Sequence, residues 1–214
     1  MQNKFINLIY PQVCGICGEI SKEDICNHCK VKIKPYKRVK KHIYLTKYYD
    51  THMYLFDYQD IIREKILQYK FQEKTYIYHS FAKIIANDEK ICRFLKSYDI
   101  IIPVPISKKR KKQRGYNQSE IIAKYLAKQL PLVEYQKDVL YKIKDTSPQS
   151  LLDKEKREMN IQGAYYIKNE KKVQNKKIVL LDDIYTTGAT VNECSKQLKR
   201  AGAKEIGVLT LAKD

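Results

Sequence analysis

The sequence predicts an α/β fold: a Rossmann-like parallel sheet with flanking helices over roughly the last two-thirds of the chain, preceded by a small zinc-stabilised module. Three observations carry this reading. Ile100-Ile-Ile102 and Ile178-Val-Leu-Leu181 are short continuous apolar runs, the pattern of parallel strands covered on both faces. Each leads through polar turn residues into an amphipathic helical pattern, Gln118 to Leu130 in one case and Val191, Cys194 and Leu198 in the other. Two C-x-x-C pairs lie close together near the N-terminus. The expected organisation is a zinc-binding module and basic linker over 1–47, then an α/β domain over 48–214 that includes a hood segment covering the substrate.

Taken in order, Cys14-Gly-Ile-Cys17 and Cys26-Asn-His-Cys29 each present two thiolates to one ion. Four thiolates around a tetrahedral Zn²⁺ leave no open position, so the site is structural. A thioredoxin-like redox pair is the rival, but it expects a βαβ context that is absent here. Lys30 to Lys47 is basic and without periodicity, and reads as linker. Met53 to Tyr58 is a strand and Asp60 to Phe71 a helix, with Ile61, Ile62, Lys65, Ile66 and Tyr69 on one side and Lys70 at a solvated helix end. Phe81 to Leu95 is one further helix. Tyr98 to Val104 is the first core strand, ended by Pro103, and Pro103-Val-Pro105 is a stiff turn at its end. Lys108 to Arg114 is a basic run read as a flexible lid. Asp138 to Lys144 is a strand, followed by the turn Asp145 to Gln149 and a polar connection. Lys204 to Leu211 closes the sheet.

Chemistry concentrates after Leu181. Asp182 and Asp183 stand at the carboxyl end of a buried parallel strand, where ligands of such sheets gather. Thr186, Thr187, Gly188, Ala189 and Thr190 then turn the backbone tightly, with a helix behind them, and form an anion cradle. Carboxylates accept hydrogen bonds from vicinal hydroxyls but repel phosphate, so the two halves suit a phosphorylated sugar. The plainer reading makes Asp183 or Thr187 a turn residue or helix cap. Arg110 and Arg114 suit bidentate phosphate contacts, although the same run could follow a nucleic-acid backbone or remain a solvated loop.

Composition narrows the classes. Of 214 residues, 42 are Lys or Arg and 24 Asp or Glu, a formal charge of +18 that favours a polyanionic partner, unless it reflects an A- and T-rich genome. Hydrophobic residues at 43% exclude a disordered tail. No apolar stretch is long enough to span a bilayer and no secretory pattern is evident, so membrane insertion is not expected and a cytoplasmic location is.

The strand, acid pair and Thr/Gly loop resemble the type I phosphoribosyltransferases. By that resemblance Asp182 and Asp183 meet the ribose hydroxyls of phosphoribosyl pyrophosphate (PRPP) and Thr186 to Thr190 hold its 5-phosphate, with Mg²⁺ accompanying the ligand. Together with the cysteine cluster, Pro103-Val-Pro105, Arg114-Gly-Tyr-Asn-Gln118, Gln149, Arg157 and Asn160, the chain resembles the ComF family, phosphoribosyltransferase-like proteins associated with DNA uptake in naturally transformable bacteria. The resemblance implies a pyrophosphate loop at Val104, Pro105, Arg110 and Arg114. It also implies second-rank contacts from Thr146, Gln149, Arg157 and Asn160 in a closing loop, and single-stranded DNA and DNA-uptake proteins as partners. The alternative is a salvage or nucleotide-metabolism enzyme that transfers ribose-5-phosphate from PRPP. No catalytic base is identifiable, and the usual acceptor-recognition element after the closing strand is missing. A purely structural zinc-finger adaptor would leave Asp182 to Thr190 unused.

Overall fold

The protein is described here by a computed structural model covering residues 11–71, 76–131, 133–146 and 159–214. The knuckles lead into helix α1 (Asn27–Ile33) and then strand β1 (Lys37–Ile43). Strand β2 (Thr51–Asp57) is followed by three helices, α2 (Asp60–Phe71), α3 (Ile77–Ala86) and α4 (Glu89–Leu95). Next come β3 (Ile100–Pro103), α5 (Lys108–Arg114), α6 (Gln118–Gln129) and β4 (Glu134–Tyr135). A separate antiparallel pair, β5 (Leu140–Lys142) and β6 (Tyr165–Ile167), precedes β7 (Lys177–Tyr185), α7 (Ala189–Arg200) and β8 (Glu205–Lys213).

The main sheet has the order β1-β2-β8-β7-β3-β4, and every pairing is parallel except β1 with β2. Alternation explains the apolar runs. On β7, Val179 and Leu181 enter one core with Ile62, Phe81 and Leu126, whereas Ile178 and Leu180 enter the other with Val191 and Leu198. Both faces of the strand are therefore dry, as its unbroken hydrophobicity requires.

Several expectations are corrected. β7 continues through both aspartates to Tyr185, because its pairing with β8 persists to Lys213. The single helix expected over Phe81 to Leu95 breaks at Asn87. There Asp88 caps a new helix by accepting the Lys90 and Ile91 N–H groups. The basic run forms a helix, α5, capped by Ser107 and closed by Gly115 at φ 76°. The stretch expected as linker contains α1's end and the lysine-rich edge strand β1. Within the expected hood, β2 is a buried interior strand, and the site is bordered by Tyr58 just after it and by α2. The knuckles pack directly on α3: Cys14, Ile16 and Ile25 share a core with Ile77 and Phe81, and Ser80 Oγ donates to the Asp24 carbonyl. Among the described residues no helix is long and apolar enough to cross a membrane.

Candidate functional site

β3 ends at Pro103, opposite Leu181, and β7 runs on past it to Tyr185. Just beyond Leu181, Asp182 Oδ1 accepts the Asp183 N–H at 2.9 Å and the Ser119 hydroxyl at 3.4 Å. Asp183 Oδ1 accepts the Ile184 N–H at 2.7 Å, and its Oδ2 meets Lys70 Nζ at 2.8 Å. Burial pushes the Asp182 carboxyl up to about 7, and the neighbouring Asp183 charge adds to the shift. In the loop that follows, Thr187 Oγ1 accepts the Ala189 N–H at 3.3 Å, just before the N-cap of α7 at Gly188. Gly188 is left-handed, with φ 77°, and a β-carbon there would lie 2.5 Å from the Tyr185 hydroxyl. That hydroxyl is fixed by Tyr49 at 2.8 Å, and the Tyr185 ring stacks on His52 at 4.1 Å, so the floor of the loop is rigid.

These groups open into a cleft of about 820 Å³, lined by Asp182, Asp183 and the whole of Thr186 to Thr190. Val104, Pro105, Arg110 and Arg114 line it too. The sequence motif around Asn117 acquires a reason here, since Asn117 Nδ2 donates to the Val104 carbonyl at 3.0 Å and ties the proline turn to α6. Thr146 is not in the lining, but it organises it. Its carbonyl accepts from Arg110 Nη2 at 3.1 Å, and its hydroxyl accepts from Lys142 Nζ at 2.8 Å. Asn160 is not among the lining residues, and Gln149 and Arg157 fall outside the described residues.

Three cations of the lining escape the sequence reading: Arg63, Lys70 and Lys142. Their signal was parity. Lys70 follows Ile62 and Ile66 at helical spacing on the buried side of α2, and Arg63, Leu67 and Lys70 reach the cleft from one stripe. Lys70 is therefore not a solvated helix end. Lys142 shares a strand face with buried Leu140 and lies over the Tyr165 ring at 5.3 Å. Burial lowers its ammonium to about 8, with the Arg110 charge adding.

At the other pole the sulfurs of Cys14, Cys17, Cys26 and Cys29 all lie within 4.8 Å of one another, and Cys17 and Cys26 are 3.9 Å apart. Zinc–sulfur bonds of about 2.3 Å in a tetrahedron put sulfurs about 3.8 Å apart, so this donor set fits zinc. Cys194 is fully buried in the core.

Comparison with known proteins bears on the family. Residues 116–214 match the phosphoribosyl transferase domain. Competence protein F of Haemophilus influenzae is 29% identical over 210 residues, covering 93% of this chain and 90% of that one. DNA utilization protein YhgH of Escherichia coli K12 is 24% identical over 220 residues, with 94% and 90% covered. Competence protein ComFC of Streptococcus pneumoniae is 30% identical over 163 residues, 76% of this chain and 68% of that one. With that likeness, a mostly parallel sheet ending in the acid pair and loop, and a four-cysteine cluster at its head, the chain belongs to the ComF family.

Proposed function

We propose that this chain binds PRPP with Mg²⁺ in the cleft beyond β7 and, in the cytoplasm, serves the handling of incoming single-stranded DNA during natural competence. The observation that carries the reading is the meeting of Asp182 and Asp183 with the Thr186 to Thr190 loop in one cleft that also holds Arg110, Arg114 and Lys142. The acids accept the vicinal hydroxyls of the ribose, and the amides and hydroxyls at the start of α7 take the 5-phosphate. Arg110, Arg114 and Lys142 face the pyrophosphate, where guanidinium forks match paired oxygens. Mg²⁺ bound with the ligand would neutralise charge on the pyrophosphate. At the N-terminal pole, one structural zinc is held by the four cysteines.

The DNA arm rests on the +18 formal charge and on relatives named for competence and DNA utilization. Transfer chemistry is the second reading. It is favoured by the same cations, which would stabilise pyrophosphate as the bond from ribose C1 breaks. Titration calorimetry of the intact protein with PRPP, with and without Mg²⁺, tests the first arm. Magnesium-dependent binding is expected, and no heat under either condition overturns it. Pyrophosphate release on adding a nucleobase panel would move the assignment to a transferase.

A further inference from the structure

Helix α5 divides two concave sites. Arg110, Gln113 and Arg114 look into the cleft already described, whereas Lys111 and Gly115 border a second groove of about 530 Å³ between α3, α5 and α6. Gln113 and Arg114 stand three and four positions from Arg110 on one side of the helix, and Gly115 stands four from Lys111 on the next.

The second groove combines two kinds of side chain. Tyr78, Tyr116 and Tyr125 line it, and so do Lys111, Lys124 and Lys128. The tyrosines are braced. Tyr78 stacks on His79 at 4.0 Å, and Tyr125 meets the same imidazole edge-on at 6.0 Å. The Tyr116 hydroxyl donates to the Tyr69 carbonyl, one residue before Lys70, so this wall is tied to the α2 segment that lines the first cleft. Glu120 is the one carboxylate among the lining residues, and it pairs with Lys111 at 3.1 Å, which leaves the groove net positive. Lys128 stands eight positions beyond Glu120, about 12 Å further along α6. Cations spread over that length match a chain of phosphates better than a single mononucleotide.

We infer that this groove is a binding site for single-stranded nucleic acid, with bases against the tyrosine surface and successive phosphates on Lys111, Lys124 and Lys128. Aromatic stacking requires bases that are not already paired and stacked in a duplex, which selects the single strand and gives little sequence preference. The inference rests on the DNA arm of the proposed function and gives it a location separate from the PRPP cleft.

The experiment is fluorescence anisotropy of a labelled single-stranded oligothymidine with the full chain, at a series of salt concentrations. Tyr125→Leu is expected to weaken binding at least about fivefold, the low end for one lost base stack. Lys124→Gln/Lys128→Gln is expected to flatten the log–log salt slope by about 1.4, at roughly 0.7 per phosphate contact. Both variants should keep wild-type PRPP titrations. Wild-type DNA affinity in both variants would overturn the groove while leaving DNA handling intact. Equal affinity for duplex of the same length would overturn the stacking role. No binding by the wild-type protein at low salt would remove the DNA arm itself, and the groove with it.

Discussion

Lys70 Nζ lies 2.8 Å from Asp183 Oδ2, with only 17% and 14% of the two side chains exposed. A helix outside the sheet thus supplies the counter-charge for an acid near the carboxyl end of the central strand β7, and the pair couples α2 to the cleft. Removing one partner of a buried ion pair strands the other, at a cost of about 3 kcal/mol. Lys70→Met should therefore destabilise the protein by about that amount in urea unfolding, and Lys70→Met/Asp183→Asn should recover most of it. A double variant as unstable as the single one would show that the methionine disturbs packing and that the ion pair is not responsible.

Ribose recognition by the acids is tested by Asp182→Asn/Asp183→Asn, which keeps size and removes charge. Hydrogen bonds to charged groups contribute about 1.5–3 kcal/mol each, so PRPP affinity should fall at least about tenfold. Titration calorimetry of the double variant at saturating Mg²⁺ reads this directly, and wild-type affinity would place the ribose elsewhere.

Asp182 also sets a pH dependence. Its carboxyl stands at about 7 in the folded protein, above the roughly 3.9 of an unfolded chain. Between those values the folded state holds a proton that the unfolded state has released, so stability from this group is full below about pH 4 and lost as pH rises towards 7. Asp182→Asn should accordingly raise the melting temperature of the unliganded protein more at pH 7.5 than at pH 5. An increment equal at both pH values would contradict the shift.

How much of this was readable in the sequence depends on whether the signal was local. The cysteine knuckles, the strand before Asp182 and the Thr186 to Thr190 loop are contiguous segments, and each is written out within about a dozen residues. The α5 helix was hidden because Lys108 to Arg114 has no apolar face. Its caps, Ser107 and Gly115, were the available clue. Lys70 and Lys142 were hidden because a lone lysine looks solvated until its spacing from Ile66 or Leu140 is counted. The Asn117 contact to Val104 joins turns 13 residues apart and needed the fold. So did the place of β2 inside the sheet, since its partner β8 lies at the other end of the chain.

Zinc at the four cysteines should have consequences beyond the knuckles. A β-carbon on Gly15 would lie 2.0 Å from Ser80 Oγ, so the first knuckle is pressed against α3 with no room between them. Lys83 pairs with Asp24 on the same contact. Structural zinc contributes about 10–16 kcal/mol of apparent binding energy in small modules, and its loss unfolds them. Elemental analysis should find one zinc per chain, and chelation should raise amide hydrogen exchange in α3 as well as in residues 14–29. Exchange in α3 that is untouched by metal removal would mean the module and the helix are energetically independent.

The Thr186 to Thr190 loop depends on Gly188 for two separate reasons, its left-handed φ of 77° and the Tyr185 ring beneath it. A left-handed conformation costs a residue with a β-carbon about 1–2 kcal/mol. The clash adds to this, because Tyr185 cannot withdraw without breaking its bond to Tyr49 and its stack on His52. Gly188→Ala should therefore destabilise the protein by at least about 2 kcal/mol and misalign the amides that precede α7. Tyr185→Phe/Gly188→Ala relieves part of the clash: the hydroxyl contact goes, while ring carbons Cζ and Cε2 at 2.7 and 2.9 Å and the backbone strain stay. The double variant should regain part of the stability in urea unfolding, yet still bind PRPP more weakly than Tyr185→Phe alone. Full recovery of PRPP affinity would show that the loop tolerates a side chain at 188 and that its conformation is not what holds the phosphate.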